Sequence, residues 1–175
     1  VNYVELYTVT GNNLDSQACI RNENILGSGF NLPEWTMDGV RQGFNVFKAA
    51  TADPRFNTSI VLIENYGIQA VKAVDVTSTS LAPEERSRPI LASPVMWYSG
   101  NDTQAKQEAT QYAARIRDGF HTGSSATRHT YVNYAIGSES IQQVYGYESW
   151  RLNKLKALKK AWDPNNKFKW YNPLA

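Results

Sequence analysis

Pro94-Val95-Met96-Trp97-Tyr98-Ser99, closed by Gly100-Asn101-Asp102, is a run of branched and aromatic residues that ends in turn formers. It reads as a strand, with Asp102 as the cap of a helix from about Thr103 to Gly119. In that helix Ala105, Ala109, Tyr112, Ala113 and Ile116 recur at three and four residues. The stripe is small near its start and bulkier toward its end, as expected where a helix lies close against a sheet.

Working upstream, residues 78–93 form a connector with Ser-Thr-Ser, Pro83, two glutamates and Pro89. Residues 58–66 (Thr-Ser-Ile-Val-Leu-Ile-Glu-Asn-Tyr) are too short for an independent helix and rich in branched residues, so a strand is expected there. In residues 68–77, Ile68, Ala70, Lys72 and Val74 alternate with a second set that is not cleanly polar. That pattern predicts another strand, in a sheet covered at least partly on both faces. Met37, Val40, Phe44 and Phe47 form an apolar stripe down to about Ala52, with Thr36 as the N-cap. Residues 3–10 read as a strand, and 11–35 carry glycines, Pro33 and five asparagines that favour turns.

Downstream of Phe120 the spacing predicts a Gly/Ser/Thr/His loop, a short strand from Thr130 to Ala135, and an amphipathic helix from about Ser149 to Trp162. Leu152, Leu155, Leu158 and Trp162 line one side of that helix, and Asp163-Pro164-Asn165-Asn166 stops it. The aromatic tail Phe168-Lys169-Trp170-Tyr171 requires a covering surface. The order strand, helix, strand, strand, strand, helix is an α+β signature: an antiparallel sheet with helices on one face. Residues 1–120 then form one unit and 121–175 a closing strand, helix and tail.

The 175 residues carry a formal charge of +2, 19% charged and 42% apolar side chains. That balance excludes a disordered chain and a strongly basic nucleic-acid binder. No run approaches the roughly 18 apolar residues of a membrane span, so neither nucleic acid nor membrane is expected as a partner. Cys19 is the single cysteine, which excludes an internal disulfide framework and a multi-thiolate zinc site. Sequons at Asn57 and Asn101 would accept glycan in a secretory pathway and leave localisation open.

The motifs of nucleophilic catalysis are missing: there is no Gly-x-Ser-x-Gly elbow, and Cys19 has no nearby histidine in sequence. His121 and His129 lack a carboxylate pattern, so no metal site is expected. Gly27-Ser28-Gly29 lacks the third glycine of a dinucleotide loop. Residues 151–169 hold seven Lys or Arg against Asp163 alone, a pattern that fits a solvated helix face better than a phosphate track. What stands out is Tyr131-Val132-Asn133-Tyr134-Ala135, a cluster of hydrogen-bonding groups on apolar bodies. On a strand, Tyr131 and Asn133 share one face and Tyr134 takes the other unless a bulge re-aims it. A packed, satisfied tyrosine is one reading; proton transfer is the other, and it needs a lowered phenol pKa.

The ordered set Tyr131-Val-Asn-Tyr134, Tyr145-Gly-Tyr147, Trp150-Arg151-Leu152, Leu155-Lys156, Asp163-Pro164-Asn165-Asn166 and Phe168 resembles the C-terminal segment of berberine-bridge-enzyme-like FAD-linked oxidoreductases, in the vanillyl-alcohol-oxidase superfamily. Trp35-Thr-Met-Asp-Gly39 and Pro83-Glu-Glu-Arg86 suggest a fungal branch. The arrangement from Thr36 to Phe120 is similar to that family's substrate domain. The resemblance implies FAD as cofactor, a small-molecule alcohol or amine as substrate, and hydride transfer to flavin. It implies Tyr134 as general base, with Tyr131 and Asn133 beside the isoalloxazine ring.

The resemblance also implies an FAD-binding N-terminal portion of the same protein as partner, onto which the last helix and tail pack. Its glycine-rich segment and flavin-linking histidine and cysteine are not in these 175 residues. Some family members place a lysine, glutamine or aspartate near the base tyrosine, and the strand Ile90 to Trp97 offers none of these. A self-standing, non-catalytic α+β binding module is the alternative.

Overall fold

The computed structural model describes residues 1–10 and 22–174. Cys19 and the first part of the asparagine-rich stretch, residues 11–21, lie outside the described residues. The sheet is antiparallel and centres on β4 (Ile90–Ser99), which is flanked on one side by β3 (Ile60–Asn65) and on the other by β1 (Glu23–Gly27) and β2 (Phe30–Leu32).

β1 and β2 are one strand in two pieces, because Gly27 faces Val95 and Phe30 faces Ala92 in the same register. The break falls at Pro94. Ser28 donates its N–H to the Pro94 carbonyl at 3.2 Å, and proline has no N–H to return. The strand around Pro94 therefore begins at Ile90, earlier than the composition suggests, since the Pro89 connector gives way directly to branched residues.

Side chains alternate across this ladder. Ile90, Ala92, Met96 and Tyr98 of β4, with Phe30 and Leu32 of β2, point to a core shared with α5 (Thr103–Phe120). Ala105, Ala109, Ala113 and Ile116 of α5 are all buried there, and Asp102 caps the helix through the Ala105 N–H. The small residues let the helix axis approach the sheet, as the taper of the stripe requires.

The second helix, α2 (Met37–Thr51), is capped by Thr36 as expected but is turned over. Met37, Val40 and Phe44 are exposed, and the buried face is Gly39, Gly43 and Ala50. Close approach decides this. A Cβ at Gly43 would stand 2.5 Å from the Phe120 ring, and one at Gly119 would stand 2.9 Å from the Gly43 backbone. Two helices crossing at backbone distance bury glycines, and the larger apolar residues are left outside. Phe47 and Val46 retain partial contact with the core.

Three strand expectations are corrected. Residues 3–10 form a 3-10 turn at Tyr3–Glu5 and a short helix α1 (Leu6–Val9), started by an Asn2/Glu5 capping box. Residues 68–77 form α3 (Gln69–Lys72) and a series of turns. Their carbonyls are claimed from outside: buried Arg86, on α4 (Pro83–Ser87), donates to Val71, Val74 and Asp75, and buried Arg151 donates to Val76 and Thr79. A strand there would have to give those carbonyls to a ladder. Residues 130–135 are not a strand either, and their geometry belongs to the site.

The closing segment carries α6 (Ile141–Tyr145), with a Ser140/Gln143 capping box, and α7 (Ser149–Trp162) with the bounds its periodicity predicts. Arg151 at its start is turned inward and 2% exposed, so the basic face is smaller than the sequence suggests. Trp162, Phe168 and Trp170 are each more than four-fifths exposed. Among the described residues no helix is long and apolar enough to cross a membrane.

Candidate active site

The chain reaches the site along the edge of the β1–β2 strand. Asn31 donates its N–H to the His129 carbonyl at 3.1 Å, Gly29 donates to the Tyr134 carbonyl at 3.3 Å, and the Thr130 hydroxyl donates back to the Gly29 carbonyl at 3.0 Å. These bonds use the outward-facing groups of an edge strand. His129 itself is buried, with Nε2 2.8 Å from a Glu85 carboxylate oxygen, which anchors the start of the segment from the far side.

Val132–Tyr134 then closes a 3-10 turn, its Tyr134 N–H donating to the Tyr131 carbonyl at 2.8 Å. Three residues per turn puts side chains i and i+3 one above the other. Tyr131 and Tyr134 therefore share a side and meet edge to face, ring centroids 5.6 Å apart. The two faces predicted for a strand are replaced by this arrangement. Asn133 lies on the outside of the turn, exposed, and donates its side-chain amide to the Tyr131 hydroxyl at 2.7 Å.

Tyr134 lies over the sheet face opposite the helices. Its Cβ occupies space that only glycine leaves open, since a Cβ at Gly29 would be 2.5 Å from it. From there the phenol reaches across β4, about two strand spacings, and donates to Glu64 Oε2 at 2.9 Å. Glu64 stands on β3 opposite Leu91. Its other oxygen accepts from the Tyr66 hydroxyl at 2.8 Å, so one carboxylate holds two phenols.

Sequence reasoning missed Glu64 and Tyr66 because it sought the base's partner on β4. The available signal was a carboxylate and a phenol two residues apart at the end of an otherwise apolar strand.

Burial, followed by the bond to Glu64, pushes the Tyr134 phenol up to about 12. The bond to Glu64, followed by burial, raises Tyr66 as well. This reverses the condition set from sequence: within this chain every influence on Tyr134 favours the protonated phenol. The phenol is therefore held neutral, with its proton directed at Glu64.

The sheet row beneath the phenol holds Gly29, Ser93 and Leu62, and the next row holds Gly27, Val95 and Ile60. Leu62 and Ile60 are exposed. The site is an open, largely apolar shelf with a hydrogen-bonded phenol and carboxylate at one end.

This fold is shared with solved flavoenzymes. Over its whole length the chain superposes on a variant of Physcomitrella patens BBE-like 1, at a TM-score of 0.71 and 20% identity, covering 37% of that chain. It covers 32% of a carbohydrate oxidase from Microdochium nivale, with 87% of its own residues, at a TM-score of 0.68 and 16% identity. By fold the chain corresponds to one part of these larger proteins, an antiparallel sheet with helices on one face.

No protein-family model matches it. Sequence relatives place it more narrowly. It is 36% identical to FAD-linked oxidoreductase chry5 of Gibberella zeae, over 82% of this chain and 28% of that protein, and 32% identical to FAD-linked oxidoreductase anuG of Penicillium roqueforti, over 99% of this chain and 34% of that protein. Its sequence relatives are fungal FAD-linked oxidoreductases, so the family resemblance drawn from its motifs and the α+β fold expected from its element order are both borne out. It spans about a third of the length of the relatives it matches.

Proposed function

We propose that this chain supplies the substrate-side half of an FAD-dependent oxidoreductase active site, in which Tyr134 and Glu64 remove the proton of a substrate hydroxyl or amine. The observation that carries the reading is the 2.9 Å bond between the Tyr134 hydroxyl and Glu64 Oε2 on an open sheet face.

The donor set suits a flavin edge. The Tyr131 hydroxyl proton and the Asn133 side-chain carbonyl have no partner among the described residues, stand side by side on the exposed turn, and form a donor–acceptor pair. The pyrimidine edge of an isoalloxazine presents the complementary carbonyl and N–H. Tyr131 and Asn133 are the residues that would hold it there. FAD, when bound, accepts the two electrons and the hydrogen of the substrate carbon as hydride. The phosphates and adenine belong to a part of the protein outside these residues, which makes the FAD-binding portion the partner that covers the aromatic tail.

The proton goes the other way. Tyr134 donates its hydroxyl proton to Glu64 Oε2 as its oxygen takes the proton from the substrate. The phenol stays neutral overall and the carboxylate ends protonated. A phenol pushed up to about 12 is a poor permanent anion and a good relay for this purpose. The Gly29 gap fixes the ring, and Leu62 and Ile60 offer the substrate an apolar surface beside it.

The test uses the full-length, flavin-loaded protein, challenged anaerobically with a panel of aromatic alcohols, aliphatic alcohols, benzylic amines and oligosaccharides. Flavin reduction is followed by its absorbance. With the fastest member of the panel, Tyr134→Phe and Glu64→Gln each slow reduction by roughly 10²-fold or more, the range for loss of general base catalysis. An unchanged reductive rate in both variants overturns the relay.

A further inference from the structure

The turn that carries Tyr134 is held from outside by the end of the chain. The Tyr171 hydroxyl lies 2.6 Å from the Val132 carbonyl and 3.2 Å from the Ala135 carbonyl, and the Asn172 side-chain amide donates to the same Val132 carbonyl at 3.2 Å. Tyr145, on α6, donates its hydroxyl to the Asn172 backbone carbonyl at 2.6 Å and fixes the tail in place.

The approach of the tail is itself built. After α7 the Asp163 carboxylate accepts the N–H groups of Lys167 and Phe168 at 2.7 and 3.0 Å and pairs with Lys159, which turns the chain back toward the site. On its inner side the turn is tied to the sheet by Gly29. The Val132 and Ala135 carbonyls are thus claimed by the tail, and the Tyr134 carbonyl by the sheet.

We infer that Tyr171 and Asn172 are positioning residues for the Tyr134 relay: the tail clamps the 132–135 turn so that the phenol stays on Glu64. The inference rests on the proton-relay reading above. A phenol oxygen stands about 6–7 Å from its Cα, so a tilt of the turn by about 10° moves it by ~1 Å, a displacement that can cost about 10²-fold in rate. Neither Tyr171 nor Asn172 reaches the shelf. They act through the backbone of the turn.

The experiment is a double-mutant cycle in the full-length, flavin-loaded protein with the fastest alcohol or amine of the panel. Tyr171→Phe removes only the hydroxyl, and Asn172→Ala removes the second bond without touching the ring, so the loss of one variant to misfolding leaves the other. Each is expected to slow flavin reduction about tenfold while the half-saturating concentration stays within about twofold. In the Tyr134→Phe background Tyr171→Phe is expected to add nothing, because there is no longer a phenol to aim.

Hydrogen–deuterium exchange on the flavin-free protein supplies a readout that needs no substrate. Exchange at the Tyr134 and Ala135 amides is expected to rise in both tail variants. Unchanged exchange, an unchanged reduction rate, or an equal slowing in the Tyr134→Phe background each overturns the clamp. If Tyr134→Phe alone leaves the rate unaltered, the relay fails, and the clamp loses its catalytic sense even where exchange has risen. The two failures are therefore distinct.

Discussion

Behind the sheet, α2 and α5 cross on Gly39, Gly43 and Gly119, and Phe120 stacks on Phe30 with centroids 5.7 Å apart and meets Trp35 edge to face at 5.6 Å. In front and along the sheet edge, residues 121–174 are tied on by side chains that reach backbone carbonyls, Arg88 to Thr127 at 2.6 Å and Arg151 to Val76 and Thr79, and are braced internally by Tyr147 to Arg128 at 2.6 Å. The first region is cohesive through shape and apolar area. The second is cohesive through directed bonds, each of which fixes one carbonyl. The proton relay proposed for Tyr134 needs the second kind of support, since an apolar contact leaves a ring free to slide and a bonded turn does not.

The directed bonds are most readily broken at Arg151, which is 2% exposed and holds Glu148 as well as two loop carbonyls. Arg151→Met keeps most of the side chain's volume and leaves those partners unanswered. Breaking a buried charged network in this way costs about 3–5 kcal/mol, read as the shift of a urea unfolding midpoint. A loss below about 1 kcal/mol, the range of a surface pair, would mean that the wrap is held by something other than its arginines.

On the other side the expected loss is smaller and has a different origin. Gly43→Ala places a methyl 2.5 to 2.7 Å from three carbons of the Phe120 ring, which is 6% exposed and caught between Phe30 and Trp35. Overpacking of this kind costs about 1–3 kcal/mol. If the variant unfolds at the same urea concentration as the parent, α2 has room to move outward and the helix side is not cohesive through shape.

The two regions also differ in how much of them can be read from residue order. α5 and its buried stripe, the Thr36 and Asp102 caps, the strand over 58–66 and the bounds of α7 follow from periodicity, because each depends on neighbours within one or two turns. The inward face of α2 did not follow, since which face is buried depends on how near α5 comes. Residues 68–77 resembled a strand because alternation does not record that Arg86 and Arg151 take their carbonyls.

At the site, Tyr134, Tyr131 and Asn133 stood out as a cluster of polar tips on apolar bodies, while their geometry required the 3-10 turn. Glu64 was invisible as a partner, because 70 residues and two strand spacings separate it from the phenol it meets. Side-chain to backbone bonds have no period, so Tyr171 left no signal either.

The smallest effect separates the site from both supporting regions. The fold holds Tyr134 above its ordinary value of 10, at about 12, so it favours the protonated phenol. A group raised in this way contributes stability that is complete below its unfolded value and is lost as pH rises through the folded one. The thermal midpoint of the parent should therefore fall between about pH 10 and 12 more steeply than that of Tyr134→Phe. Tyr66 shares the Glu64 carboxylate and is shifted in the same direction, so part of the alkaline loss should persist in the single variant and shrink further in Tyr134→Phe with Tyr66→Phe. Parallel alkaline profiles for parent and variants would place the phenols in water, away from Glu64, and would leave the sheet face without its relay while the wrap that carries Tyr134 stayed intact.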